Sequence, residues 1–249
     1  MKFNTPQIAT PISHQFKNEV VAREIIAVSD CLEVRHRSLE SKWSNQVIFH
    51  IDIDLPHKWG ERIKDYLQNA FNKKPELSLI SLQASRCCEG ENIVNGMFLL
   101  DGKQYSRQEM LENSNINTKW LRSILEKHIQ IGLENNNYYP TPAYDIVTDS
   151  DFINSIINEN DIHLVLDIAH AMVTAHNKKV SYHDYLESLT LDKLIQLHIC
   201  QPLTPDNGVA YDAHEEPNDE MFDKVFSLIE RYPTIKYLTI EYYKDKNIL

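Results

Sequence analysis

Eight short apolar, β-branched runs recur along the 249-residue chain, each followed by a helical or loop-like segment, and this alternation constrains the fold more than any other feature. They are QIATPIS (7–13), CLEVR (31–35), VIFHIDI (47–53), LSLISLQ (77–83), IQIGLE (129–134), HLVLDI (163–168), LIQLHI (194–199) and YLTIEYY (237–243). Between them, NEVVAREIIAVSD, HKWGERIKDYLQNAF, QEMLENSNINTKWLRSILEK, DSDFINSIINEN, SYHDYLESL and NDEMFDKVFSLIERY have helical spacing, and several open on Asn, Asp or Ser, as N-caps do. Strand runs apolar on both faces, HLVLDI above all, suit a parallel sheet covered on both sides. Eight such units in about 250 residues predict an α/β fold, a single (β/α)₈ TIM barrel, rather than an open doubly wound sheet, which usually shows a Gly-rich phosphate turn. Neither GxGxxG nor GxxxxGK[ST] occurs. Residues 84–118 are too long and polar for a simple βα loop and read as an insertion or lid over the catalytic face. No linker divides the chain, so residues 1–249 read as one domain.

Composition narrows the function. A net charge of −11 offers no positive field for a polyphosphate backbone, so nucleic acid is not an expected partner. No window approaches the roughly 18 apolar residues of a membrane helix, and the opening MKFNTPQIATPISHQF lacks a signal-peptide core; a cytoplasmic protein with no membrane partner is expected. Cys31, Cys87, Cys88 and Cys200 show no CxxC spacing and read as free thiols.

In a TIM barrel the functional residues lie at the C-terminal ends of the strands. Polar, metal-capable side chains recur there. His14 follows the first run, Glu33 belongs to the second with His36 just beyond it, and His50, Asp52 and Asp54 mark the third. Glu134 ends the fifth, Asp167 the sixth with His170 beyond it, His198 lies in the seventh with Asp212 and His214 after it, and Glu241 lies in the eighth. A carboxylate or imidazole in runs such as LVLD, IQLH and LTIE must leave water, and an unpaired buried charge costs several kcal/mol. A divalent cation removes that cost, and a mixed His/Asp/Glu set suits iron, manganese or zinc more than magnesium or calcium. The expected ligands of a multinuclear site come from His14, Glu33, Glu134, Asp167, His170, His198, Asp212, His214 and Glu241, with Glu134, Asp167 and Glu241 as the catalytic carboxylates. Each also has an ordinary reading: Glu33 paired with Arg35 or Arg37, Asp212 in an Asp turn, Glu134 in a rim ion pair. His50, His57, His128 and His163 are set aside as hydrogen-bonded structural or surface histidines.

The C-terminal half, through ENNNYYPTPAYD (134–145), LVLDIAHAMVTAHN (164–177), LDKLIQLHI (191–199), YDAHEEP (211–217) and LTIEYYKD (238–245), resembles the multinuclear non-haem iron-dependent oxidases, among them the methanobactin-biosynthesis oxidases. That resemblance implies a xylose-isomerase-like barrel holding two or three iron ions that uses dioxygen to modify a residue, often cysteine, of a ribosomally made peptide presented by a partner protein. It assigns Glu134, Asp167, His170, His198, Asp212, His214 and Glu241 as ligands, with His14 and Glu33 matching less closely. Three positions depart from the family pattern: Gln83 stands where a His is frequent, His170 where Asn is frequent, and IEYY where IEWD is favoured. The expected activity is a metal-dependent oxidase acting on a peptide cysteine or small thiol, with two or more transition-metal ions, iron first and manganese or zinc otherwise. The competing expectations are a redox-neutral divalent-metal sugar isomerase or epimerase on the same barrel, and a degenerate barrel acting as a binding scaffold.

Overall fold

Each of the eight runs forms a strand in the computed structural model, which describes residues 5–244. The strands are β1 (Gln7–Pro11), β2 (Cys31–Val34), β3 (Gln46–Asp54), β4 (Leu79–Gln83), β5 (Gln130–Glu134), β6 (His163–Asp167), β7 (Leu194–Ile199) and β8 (Tyr237–Ile240). They are parallel and pair in chain order, and β8 returns to β1 with Gln7 opposite Tyr237, so the sheet is a closed barrel. Helices α1 (Glu19–Ala27), α2 (Glu61–Lys73), α3 (Arg107–Ile124), α4 (Ser150–Glu159), α5 (Ile168–Lys178), α6 (Tyr182–Glu187) and α7 (Asp219–Arg231) complete it. Their starts follow local chemistry. The Asn18 side chain accepts from the N–H groups of Val20 and Val21, and Ser106 and Glu109 cap α3 reciprocally.

Two layers fill the barrel. Its floor is a cluster of Ala9, Cys31, Ile48, Leu79, Val165, Ile195 and Tyr237, all buried. On β5 the corresponding residue is Gly132, where a Cβ would lie 2.7 Å from a Val165 methyl, so only glycine fits. Side chains alternate faces along a strand, so two residues further on the same face is met again. That step turns Cys31 into Glu33, Ile48 into His50, Leu79 into Ser81, Gly132 into Glu134 and Val165 into Asp167. An apolar floor carries a polar, buried layer at the C-terminal mouth.

Two elements differ from the sequence reading. The insertion ends at residue 106 and not at 118, because α3 begins at Arg107. The buried face of α3 is Met110, Ser114, Asn117, Thr118 and Leu121, and three polar residues on it mask the apolar period. Asn117 is used structurally: its amide donates to the carbonyls of Leu55 (2.8 Å) and His57 (2.7 Å). The insertion itself holds a small hairpin, Ile93–Val94 against Met97–Phe98. It is fastened down. Arg86 pairs with Asp54 (3.3 Å) and lies over the Phe98 ring (4.7 Å), while the Phe98 N–H donates to the Tyr144 hydroxyl (3.0 Å). Second, residues 201–215, expected as a loop, carry an antiparallel hairpin of Gln201–Leu203 and Tyr211–Glu215.

Candidate metal centre

The mouth is built from strand ends. Glu33, His50, Glu134, Asp167 and His198 come from β2, β3, β5, β6 and β7, and Glu241 follows β8 directly. His170 lies in the first turn of α5, and the second hairpin supplies Asp212 and His214. The sequence folds this way locally because Asp167 ends its strand and caps the next helix at once, its Oδ1 accepting from the His170 N–H at 2.8 Å. Asn135 locks that turn: its side-chain oxygen accepts from the Asp167 N–H (2.8 Å) and its amide donates to the Asp167 carbonyl (3.0 Å).

Three buried or nearly buried imidazoles share one design. His198 turns Nε2 to Glu33 (3.2 Å), leaving Nδ1 toward Glu134 Oε1 (2.7 Å) and Glu241 Oε1 (3.0 Å). His170 turns Nδ1 to the Asn135 carbonyl (2.9 Å), leaving Nε2 toward Asp212 (3.5 Å) and Asp167 (3.8 Å). His50 turns Nδ1 to the Ser81 hydroxyl (2.9 Å), leaving Nε2 beside Glu134 (3.6 Å) and the Gln83 amide (3.2 Å). One nitrogen is tied outward and the other faces the carboxylates. Fixing the far nitrogen is how proteins set the tautomer and direction of a ligating imidazole. His214 adds a fourth ring, with Nε2 at 2.9 Å from Asp212 and φ of 46°, a left-handed conformation that costs a non-glycine residue on the order of 1 kcal/mol.

Among the described residues, ligand-capable atoms meet in three groups, each within 4.8 Å: His50, Glu134 and His198; Glu134, Asp167, His198 and Glu241; and Cys200, Asp212 and His214. The first two share Glu134 and His198, so the groups occupy two places in the mouth.

Electrostatics show how much charge is packed there. Burial, helped by Asp212, Glu134 and Glu241 and opposed by His170, pushes Asp167 up to about 7. Burial works against Glu33 and Glu134 too, but Arg35 and His198 hold Glu33 down at about 2, and His50 and His198 do the same for Glu134. His198 and His170 are raised well above the usual imidazole range in spite of burial, His198 chiefly by Glu33 and Glu241, His170 chiefly by Asp167 and Asp212. Without a metal, protonated imidazoles act as the counter-cations of the carboxylates.

The residues fit a metal. Asp167 Oδ2 is buried with no hydrogen-bond partner, among donors of the mixed N/O type that first-row transition metals prefer. An orphaned carboxylate oxygen is expensive unless something cationic takes it up.

Of the nine expected ligands, Glu134, Asp167, His198, Glu241, Asp212 and His214 fall within these groups, and His170 adjoins them through Asp212 and Asp167. Glu33 reaches the same layer, but its oxygens are engaged: Oε2 accepts from Gln196 (2.7 Å) and Thr239 (3.1 Å), and Oε1 pairs with Arg35 at 2.5 Å. His14 is exposed on the turn after β1 and joins none of the groups found among the described residues. Sequence reasoning set His50 aside, although it interrupts an apolar strand as His198 does. Arg35, read from the sequence only as an alternative partner of Glu33, pairs with both Glu33 and Glu241, and Cys200, given no part there, donates its thiol to Asp212 at 3.1 Å.

Residues 105–244 match the family model described as RiPP precursor modification enzyme MbnB/TglH/ChrH, more than half of the chain. The chain belongs to that family. Among curated relatives, it is 26% identical over 110 residues to a UPF0276 protein of Nitrosospira multiformis and 27% identical over 96 residues to one of Shewanella sediminis. Those alignments cover 44% and 39% of this chain and only 37% and 34% of the relatives. The chain thus spans about a third of the length of the curated relatives it matches. Solved structures agree on the fold. An Escherichia coli 3-keto-D-glucoside 4-epimerase aligns with a TM-score of 0.63 at 15% identity, covering 98% of this chain and 95% of that one. A D-psicose 3-epimerase of Clostridium cellulolyticum H10 aligns with a TM-score of 0.58 at 11% identity, covering 94% and 84%. At such identities the likeness concerns the fold alone, the closed (β/α)₈ barrel expected from the sequence.

Proposed function

We propose that this chain is a metal-dependent oxidase holding more than one iron ion, and that it uses dioxygen to modify a cysteine of a ribosomally made peptide. The observation that carries the metal centre is the shared design of His50, His170 and His198, each with one nitrogen anchored outward and one turned into a carboxylate cluster. Glu134, Asp167, His198 and Glu241, with His50 beside them, would hold one ion; Asp212, His214 and His170 would hold a second. Iron bound there supplies one-electron chemistry toward dioxygen and a Lewis acid for a thiolate. Glu33 aims His198, Ser81 aims His50, and the Asn135 carbonyl aims His170. Ligands that arrive pre-oriented cost nothing to reorganise during reaction.

A peptide, in place of a small sugar, is favoured by what flanks the mouth. The hairpins after β4 and β7 both rise from the C-terminal end and carry exposed apolar residues, Ile93 and Val94 on one, Leu203 and Tyr211 on the other. Short two-stranded sheets with free edges suit an extended peptide, on its own or presented by a partner protein. No helix among the described residues is long and apolar enough to cross a membrane.

The test is oxygen uptake by protein reconstituted anaerobically with Fe(II), then mixed with air and a cysteine-containing peptide. Oxygen consumption matched by a mass change at the cysteine supports the reading. Anaerobic interconversion of ketose epimers by the Mn(II)-loaded protein, with no oxygen uptake on any thiol, would replace it with the sugar-epimerase reading.

A further inference from the structure

Arg35 brings a permanently charged cation into the mouth. Arg35 lies two residues beyond Glu33, and its terminal nitrogen pairs with Glu33 at 2.5 Å and also with Glu241, which follows β8, one strand away across β1. Its side chain is one-fifth exposed, while the two carboxylates are almost wholly buried. Glu241 belongs to a ligand-capable group and Glu33 to none, so the guanidinium bridges one carboxylate of the cluster and one beside it. A bridging position between two buried acids is one that a metal ion takes in carboxylate clusters.

Charge decides how many further cations the mouth accepts. Five carboxylates converge here: Glu33, Glu134, Asp167, Asp212 and Glu241. Once the imidazoles act as neutral ligands, one guanidinium and two divalent ions balance those five negative charges. A third divalent ion would leave an excess of two positive charges in a buried layer, where uncompensated charge is costly. Arginine keeps its charge throughout the ordinary pH range, so this cation is permanently present.

Resting on the metal-centre reading above, we propose that Arg35 is a resident cation that occupies the place of a third metal ion and holds this centre at two. Arg35 is a positioning residue; it also pairs with Glu33, whose other oxygen faces His198.

The experiment counts metal and needs no activity. Wild-type protein, Arg35→Met and Arg35→Lys are incubated anaerobically with excess Fe(II), desalted and analysed for iron per chain, with circular dichroism on the same samples. Wild type and Arg35→Lys are expected to retain about two ions, and Arg35→Met about three, with Glu33 and Glu241 released to take the extra one. Two ions in both wild type and Arg35→Met, or three in wild type, overturn the role of Arg35 while leaving the metal centre intact. A wild type that retains none removes the metal-centre reading itself. If Arg35→Met does not fold, the wild-type count still decides: two supports the proposal and three overturns it.

Discussion

Glu33→Gln is nearly isosteric, yet the structure predicts a large effect. Both carboxylate oxygens of Glu33 serve only as acceptors: one faces Arg35, the other faces Gln196, Thr239 and His198. A glutamine has one accepting oxygen and one donating NH₂, so in either flip a donor faces a buried donor. If the NH₂ faces Arg35, a guanidinium loses a buried partner; if it faces His198, Nε2 must become the acceptor and the proton moves to Nδ1, the nitrogen turned toward Glu134 and Glu241. Removing an acceptor from a buried donor costs about 1–3 kcal/mol, more where the donor is charged. Losing the group that orients a metal-binding imidazole typically weakens metal affinity about 10–100-fold. Glu33→Gln should therefore melt at a lower temperature than wild type and bind Fe(II) or Zn(II) 10–100-fold more weakly in competition with a chromophoric chelator. Unchanged affinity and an unchanged melting temperature would refute the claim that Glu33 aims His198.

Asp167→Asn should behave oppositely in the absence of metal. It keeps an N-cap for α5 but removes a buried carboxylate whose Oδ2 has no partner, so the metal-free protein should be no less stable, while metal affinity falls at least about tenfold; a destabilised variant with full metal content would contradict this. His198→Ala should also lose metal while circular dichroism still reports a folded barrel, because the apolar floor of Ala9, Ile48, Leu79 and Val165 is untouched. On the alkaline side, burial pushes Tyr144 from its ordinary 10.0 up to about 12. The folded state then holds a proton that the unfolded chain has released, so this contribution is complete below pH 10 and is lost as pH rises toward 12. At about 1.36 kcal/mol per unit it amounts to some 2–3 kcal/mol, and Tyr144→Phe should flatten that part of the decline while costing about 1 kcal/mol at neutral pH through the unpaired Phe98 N–H.

The barrel was legible because its signal is repeated: eight β-branched runs at regular spacing leave few alternatives, and all eight became strands. What stayed hidden was hidden by local chemistry. Residues 108–118 carry two readings in the sequence, helical spacing in QEMLENSNINTKWLRSILEK and a polar insertion, because Ser114, Asn117 and Thr118 occupy the buried face of α3, satisfied there by hydrogen bonds such as those of Asn117. Helix α5 begins on the residue after β6, without a connecting loop to announce it. The convergence of Glu134, Asp167, His198 and Glu241 followed from their places at strand ends. His50 carried the same signal, a polar residue inside VIFHIDI, but lies in mid-strand, and only the two-residue alternation with Ile48 shows that it faces the barrel interior. Arg35 could be named as a partner for Glu33 from sequence spacing; its second partner, Glu241, is 206 residues away and is brought near only by barrel closure.

The most direct test of the metal centre is anomalous diffraction at the iron edge from crystals of protein reconstituted anaerobically with Fe(II). Two strong peaks are expected in the C-terminal mouth, one against Glu134, Asp167, His198 and Glu241 and the other against Asp212, His214 and His170, with none between Arg35 and Glu33. Iron bound only outside the mouth, or a mouth that stays without peaks in fully reconstituted protein, would contradict it.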